Sequence, residues 1–212
     1  MKRALSNQYD QLYEKLKGYV AMMNFRYINL CIKTDPVSLV PVKVNVEGTE
    51  KNLEQVAMTA KKDDYRFWIV PKYDEDKESI CKGIAKVHPE FKQKEGTFKV
   101  EGIGDNKEGR EVKYIELTMP EVDDKRHDVL KDAVDVIYQE CKTLMEAAIN
   151  KAQAEITFLA VGEPKEDVDG LKKAVDKLKK DCEEHRDKLH DKKLQEIEEA
   201  YQNWLAKVEK MI

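Results

Sequence analysis

The sequence predicts an α+β protein, an elongated three-helix bundle with a small β-rich α/β domain inserted between the first and second long helices. Three observations predict it. Apolar residues recur three and four positions apart over long stretches at both ends of the chain, while strand-like alternation is confined to the middle. Charged residues make up 38% of the 212 residues, with only 9 Gly and 6 Pro, which suits long solvated helices better than a loop-rich fold.

The first stripe runs Leu5, Tyr9, Leu12, Leu16, Tyr19, Met23, Tyr27 and Leu30. Thr34, Asp35 and Pro36 stop it, because the residue before a proline is pushed out of the helical region. The middle opens with VPVKVNV, which alternates as a half-buried strand. RFWIVPKYD follows as a compact β run, and KESICKGIAKV spaces Ile80, Ile84 and Val87 as one short helix. FKVEGIGDNKEGREVKYIEL reads as two strands around a turn. A second helical stripe runs Leu130, Val134, Ile137, Cys141, Leu144, Ala148, Ala152, Ile156 and Leu159. Asp123 and Asp124 supply its N-terminal cap, and Gly162 and Pro164 its end. The third begins near Asp167 and carries Val168, Leu171, Val175, Leu178 and Cys182, then Leu189, Leu194, Ile197, Tyr201, Leu205 and Val208. The five-residue step from Leu189 to Leu194 predicts a slip of the buried face or a bend. Three such stripes bury one another in a bundle of residues 1–34 and 112–212, with residues 35–111 as the inserted domain.

Composition narrows the function classes. The net charge of −4 excludes a generally basic DNA-binding protein, but the charge is uneven. Residues 1–34 carry six basic and two acidic groups, whereas residues 121–162 carry five and nine. Cys31, Cys81, Cys141 and Cys182 form no CxxC pair and sit in apolar periodic segments, as reduced buried thiols of a cytoplasmic protein do. No apolar run is long enough to span a bilayer. The basic start lacks the apolar block of a secretory signal.

Candidate chemistry is sparse. His185 and His190 are five apart and therefore on different faces of a helix, so with Cys182 they do not make a metal site. GIGDNKEG lacks the glycine spacing and the Lys-Ser/Thr ending of a phosphate loop and reads as a hairpin turn. Asp74, Glu75, Asp76 and Glu78, with Asp63 and Asp64, surround turns and a helix start, where carboxylates cap rather than catalyse. His88, beside Pro89, reads as a turn residue. Phe67, Trp68 and Tyr73 could stack bases, but a module this small needs its large side chains inside. Neither a catalytic residue, nor a metal, nor a cofactor is expected.

The order of elements, and three segments, resemble the ribosome recycling factor family. VPVKVNVEGTEKNLEQVAMTAKKDDYRFWIVPKYDEDKESICKGI is similar to its inserted domain. IELTMPEVDDKRHDVLKDAV resembles its entry to the second bundle helix, and GEPKEDVDGLKKAVDKLKKDCEEHRDKL its connection into the last. The similarity runs from about Leu30 to about Ala200. It implies a non-enzymatic translation protein that binds the large-subunit RNA of post-termination ribosomes and works with elongation factor G in separating the subunits. The RNA-contacting residues it implies are Lys33, Lys142 and Lys151, with Arg26 from the basic first helix.

The departures from the family point to a divergent paralog. Of the arginines before the closing proline, Leu30 and Lys33 stand in their places. Of the arginines on the second bundle helix, Lys142, Glu146, Ile149 and Asn150 do. A guanidinium grips phosphate with a planar, always-charged fork that Ile and Asn lack, and Glu146 would repel it. The alternative expectation is therefore a protein-interaction module that keeps the fold, binds no ribosomal RNA and meets an unknown protein partner.

Overall fold

The structure, a computed structural model, describes residues 3–100 and 110–210. The chain divides into two compact units, one formed by residues up to Tyr27 and from Asp123 onward, the other by Ile28–Val122. The expected boundary at 111/112 therefore moves to Val122. Its reason is a strand: β6 (Arg110–Thr118) pairs with both β4 (Arg66–Pro71) and β5 (Lys92–Val100) and cannot leave the sheet. The boundary expected at 34/35 moves back to Tyr27, because the Thr34 amide and hydroxyl donate to the Asp64 and Asp63 carbonyls of the inserted unit.

The helical unit contains α1 (Arg3–Ile28), α4 (Asp124–Leu159) and α5 (Lys165–Glu209). α4 starts where the acidic pair predicts, with the Asp123 carboxylate accepting from the Arg126 amide at 2.8 Å. It ends before Gly162, whose φ of +83° favours glycine. α1 buries Leu5, Leu12, Leu16, Val20, Met23 and Tyr27.

The buried stripe of α4 departs from the expected one midway. Leu130, Val134, Ile137, Cys141, Ala152 and Ile156 are buried as expected, but Met145 and Ile149 take the places expected for Leu144 and Ala148. Consecutive four-residue steps carry the seam around the helix, and burying Met and Ile removes more apolar surface than burying an alanine. In α5 no slip occurs. The seam runs Cys182, Arg186, Ile197, Ala200 in one continuous helix, and its charged member breaks an apolar-only pattern without breaking the period.

The inserted unit holds a hairpin of β1 (Lys43–Val46) and β2 (Thr49–Asn52), closed by Glu47 and Gly48 at φ of +51° and +78°. Both central residues at positive φ make this the two-residue turn whose twist matches the strands. A one-turn helix, α2 (Leu53–Val56), leads to an antiparallel sheet in the order β3 (Ala57–Asp63), β4 (Arg66–Pro71), β6, β5 (Lys92–Val100). α3 (Lys77–Val87) packs on β1 closely enough that a Cβ at Gly83 would meet the Lys43 carbonyl oxygen. Val44, Phe67, Ile69, Ile80, Ile84, Ile115 and Leu117 form the core between them. Asp74 and Glu78 pair with Lys113 and Lys82 rather than capping α3. The loop expected at GIGDNKEG lies outside the described residues.

Candidate nucleic-acid interface

α4 advances 100° per residue, so the two expected contact residues it carries do not share a face. Lys142 and Lys151 are nine residues apart and therefore project from opposite flanks. Lys142 lies one turn beyond Tyr138, whose hydroxyl donates to Asp187 of α5. Lys151 lines the α1 side, in a groove with Gln8, Gln11 and Lys15, and its ammonium stands 3.8 Å from Glu155. Arg26 pairs with Glu140 across the same flank. Lys33 belongs to the inserted unit, where its charge helps hold the Asp64 carboxyl below the usual carboxylate range, behind the larger effect of Lys61.

Ile149 is a correction. It is 3% exposed and packs in the bundle seam, so it cannot stand where a phosphate-binding arginine would project. Its neighbours Glu146 and Asn150 are exposed, and Leu30 is half-buried at the end of α1. The outward stripe of α4 reads Val129, Asp132, Val136, Gln139, Thr143, Ala147, Asn150, Ala154 and Phe158. Among the described residues it carries no basic side chain between 129 and 158. Phe158, near its end, is 80% exposed.

The opposite flank is polar and closed. Arg186, 6% exposed, lies over the Tyr138 ring at 4.8 Å and donates to Asp187 through Nε at 2.8 Å. Burial opposes its charge, but Asp187 more than compensates and raises its pKa. Burial also works against the Asp187 carboxylate, and the hydrogen bonds from Arg186 and Tyr138 outweigh it, holding that carboxyl below its ordinary range. His190 contacts Asp135 at 3.0 Å. Burial pushes the Tyr27 hydroxyl up, and it donates to the Val134 carbonyl.

Two long helices following a first one, with a mixed domain inserted after it, are matched by solved structures. A solution structure of a ribosome recycling factor superimposes with a TM-score of 0.70 at 16% identity, covering 94% of this chain and 100% of that one. The chain has the ribosome recycling factor fold. A second match, with a TM-score of 0.56 at 18% identity, covers 92% of this chain and 98% of the other; it belongs to models for the T. thermophilus ribosome recycling factor and the E. coli elongation factor G bound to the E. coli post-termination complex. No family model matches the chain, and no curated protein sequence does.

Within this recycling-factor fold the inserted sheet presents a second surface that the sequence misassigned. Phe67 fills the core, but Trp68 points to the other face and Tyr73 is exposed. The strand period of two separates them. Trp68 packs with Phe98 at 5.8 Å and Tyr114 at 4.9 Å, and Lys62 lies over its ring at 5.1 Å. The Tyr114 ring covers Gly96 directly. Cross-strand pairing with β5 and β6, which a lone β4 segment does not reveal, places these rings together. Glu116 accepts from Lys62 and Trp68, which holds its carboxyl below the usual range. His185, His190 and Cys182 do not converge: Cys182 is buried and His185 exposed. The cysteine and histidine that do meet, Cys31 and His88, are 57 residues apart in sequence, and no local spacing could have paired them.

Proposed function

We propose that this chain is a recycling-factor-like translation protein that acts on post-termination ribosomes without enzymatic chemistry, in the cytoplasm and together with an elongation factor G-like partner. The observation that supports it most is the extent of the fold match, which spans both units in chain order and 94% of the chain. No helix among the described residues is long and apolar enough to cross a membrane. RNA contact is assigned to the basic first helix and its groove with α4, where Lys15 and Lys151 lie together, with Arg26 further along and Lys33 and Lys142 as lesser contributors. The outward stripe of α4 supplies none.

Co-sedimentation with purified ribosomes over a salt series tests this. Each phosphate left without its cation should lower the log–log salt slope by close to one, so Lys15→Glu with Lys151→Glu is expected to reduce both slope and binding. No ribosome binding at low salt would overturn the reading.

A second reading is favoured by the bare outward stripe of α4: a divergent paralog that keeps the fold as a protein-interaction module without ribosomal RNA. It predicts no ribosome binding at any salt with the fold intact.

A further inference from the structure

Three ligand-type atoms converge just after α1. Cys31 Sγ stands 3.7 Å from His88 Nδ1, His88 Nδ1 stands 3.1 Å from Glu90 Oε1, and all three lie within 4.8 Å of one another. The residues come from separate places within the inserted unit. Cys31 lies three residues past the end of α1, with a φ of +53° at a position where glycine is the usual choice. His88 is the C-cap of α3, and Glu90 lies in the turn toward β5.

The imidazole is held in one orientation. Its Nε2 lies 2.8 Å from the Ser38 carbonyl, which can only accept, so that nitrogen carries a proton. The ring stacks on Phe91 at 4.4 Å and 4° and is 4% exposed. Nδ1 therefore faces the Cys31 thiol and the Glu90 carboxylate together. The thiol donates its single proton to the Asn29 carbonyl oxygen, 3.3 Å from Sγ. A cation among the three would meet a sulfur, a ring nitrogen and a carboxylate oxygen at once.

The arrangement does not suit a nucleophilic cysteine. An orienting carboxylate belongs on the ring nitrogen away from the thiol, whereas Glu90 shares the nitrogen that faces Cys31, and Cys31 is 1% exposed. One thiolate, one imidazole and one carboxylate suit a borderline ion such as zinc, with an outer carbonyl fixing the ring as metal-bound histidines usually have. Tetrahedral zinc with a sulfur at about 2.3 Å and nitrogen or oxygen at about 2.0–2.1 Å separates sulfur from nitrogen by about 3.5 Å and nitrogen from oxygen by about 3.4 Å. The observed 3.7 and 3.1 Å lie near two edges of that triangle. The Glu90 side chain, 39% exposed, can rotate to close the third edge.

We propose that Cys31, His88 and Glu90 form a zinc-class divalent-cation site, a clip that fastens the segment after α1 to the end of α3. Binding converts the Cys31 thiol to a thiolate, forms one metal–sulfur bond and releases one proton to solvent. Cobalt(II) titrated into the reduced, chelator-treated full chain tests it by absorption. A thiolate-to-cobalt charge-transfer band saturating at one equivalent is expected, removed by zinc(II), absent in Cys31→Ser, and shifted to at least tenfold weaker affinity in Glu90→Gln. Glu90 is at the surface, so that variant reports on the site even where Cys31→Ser or His88→Gln fails to fold. Absence of the band in the unaltered chain, its persistence in Cys31→Ser, or unchanged cobalt affinity in Glu90→Gln would each overturn the proposal.

Discussion

The seam and the outward stripe of α4 share one helix and one length, yet only the seam follows the usual logic of a soluble helix. The seam is filled by Val134, Cys141, Met145 and Ile149 and flanked by the Tyr138–Arg186–Asp187 cluster. The outward stripe, which water should face, carries Val129, Val136, Ala147 and Phe158 with few charges. A helix normally concentrates apolar residues on one stripe only. Packing therefore constrains the seam, whereas the outward stripe is not composed for solvation and owes its composition to something other than the monomer's stability.

Placing the same side chain on each face should separate them most sharply. Ile149→Arg puts an unpaired charge in the seam and should cost about 3–5 kcal/mol. Asn150→Arg, one residue away and exposed, should stay within about 0.5 kcal/mol. Urea unfolding followed by circular dichroism reads both. Equal costs would mean that the two faces are not distinct. Asn150→Arg should also strengthen ribosome binding at low salt if the stripe lies near phosphate.

The polar part of the seam comes next. Arg186→Ala removes the guanidinium packed on Tyr138 and leaves the Asp187 carboxylate and the Tyr138 hydroxyl without their central partner. A loss of about 2–3 kcal/mol is expected, read from the same unfolding curves. A loss near zero would make the cluster a solvated surface feature rather than part of the seam.

These two positions also mark how far the sequence can be read. The three long helices, the capped start of α4 at Asp123 and the short α3 are legible because helical period and capping chemistry are local. The choice of Met145 and Ile149 over Leu144 and Ala148 is not, because a stripe drawn at near-heptad spacing fits either set until the partner helices fix the rotation. Arg186 escapes for a related reason: an apolar template has no place for a charged residue whose partner sits on the same helix. Size alone assigns Trp68 to the core, although alternation with Phe67 and Ile69 already puts it on the other face. Cys31 and His88 are legible singly, as a buried thiol and a turn residue, and only tertiary structure brings them together.

A smaller effect should appear in acid. Asp187 has a folded-state pKa below its ordinary value, because its hydrogen bonds from Arg186 and Tyr138 outweigh the burial that opposes its charge. A depressed carboxyl contributes stability that is fully present above about pH 4–5 and is lost as pH falls through its unfolded value near 3.9 toward its folded one. The Asp187 side chain is 49% exposed, so solvent screening limits the contribution to about 1 kcal/mol or less. Asp187→Asn should therefore lower stability slightly at pH 7 and have little effect at pH 3. A deficit that grows as the pH falls would contradict the direction of this shift.

Substitutions on the outward stripe should cost least of all. Val136, 55% exposed, and Phe158, 80% exposed, bury little surface in the monomer, and apolar stabilisation scales with the area removed from water. Val136→Ser with Phe158→Ser should therefore change unfolding free energy by about 0.5 kcal/mol or less. A larger loss that also depends on protein concentration would mean that a second copy covers the stripe and shares its burial with the fold. A silent double substitution that leaves salt-dependent ribosome binding intact would place the RNA contact on the α1 side, with Lys15 and Lys151. A silent substitution in a chain that does not bind ribosomes would leave the stripe as the surface a protein partner uses. The same pair of serines thus separates burial within the monomer from burial against another molecule, which the contrast between the two faces of α4 cannot do by itself.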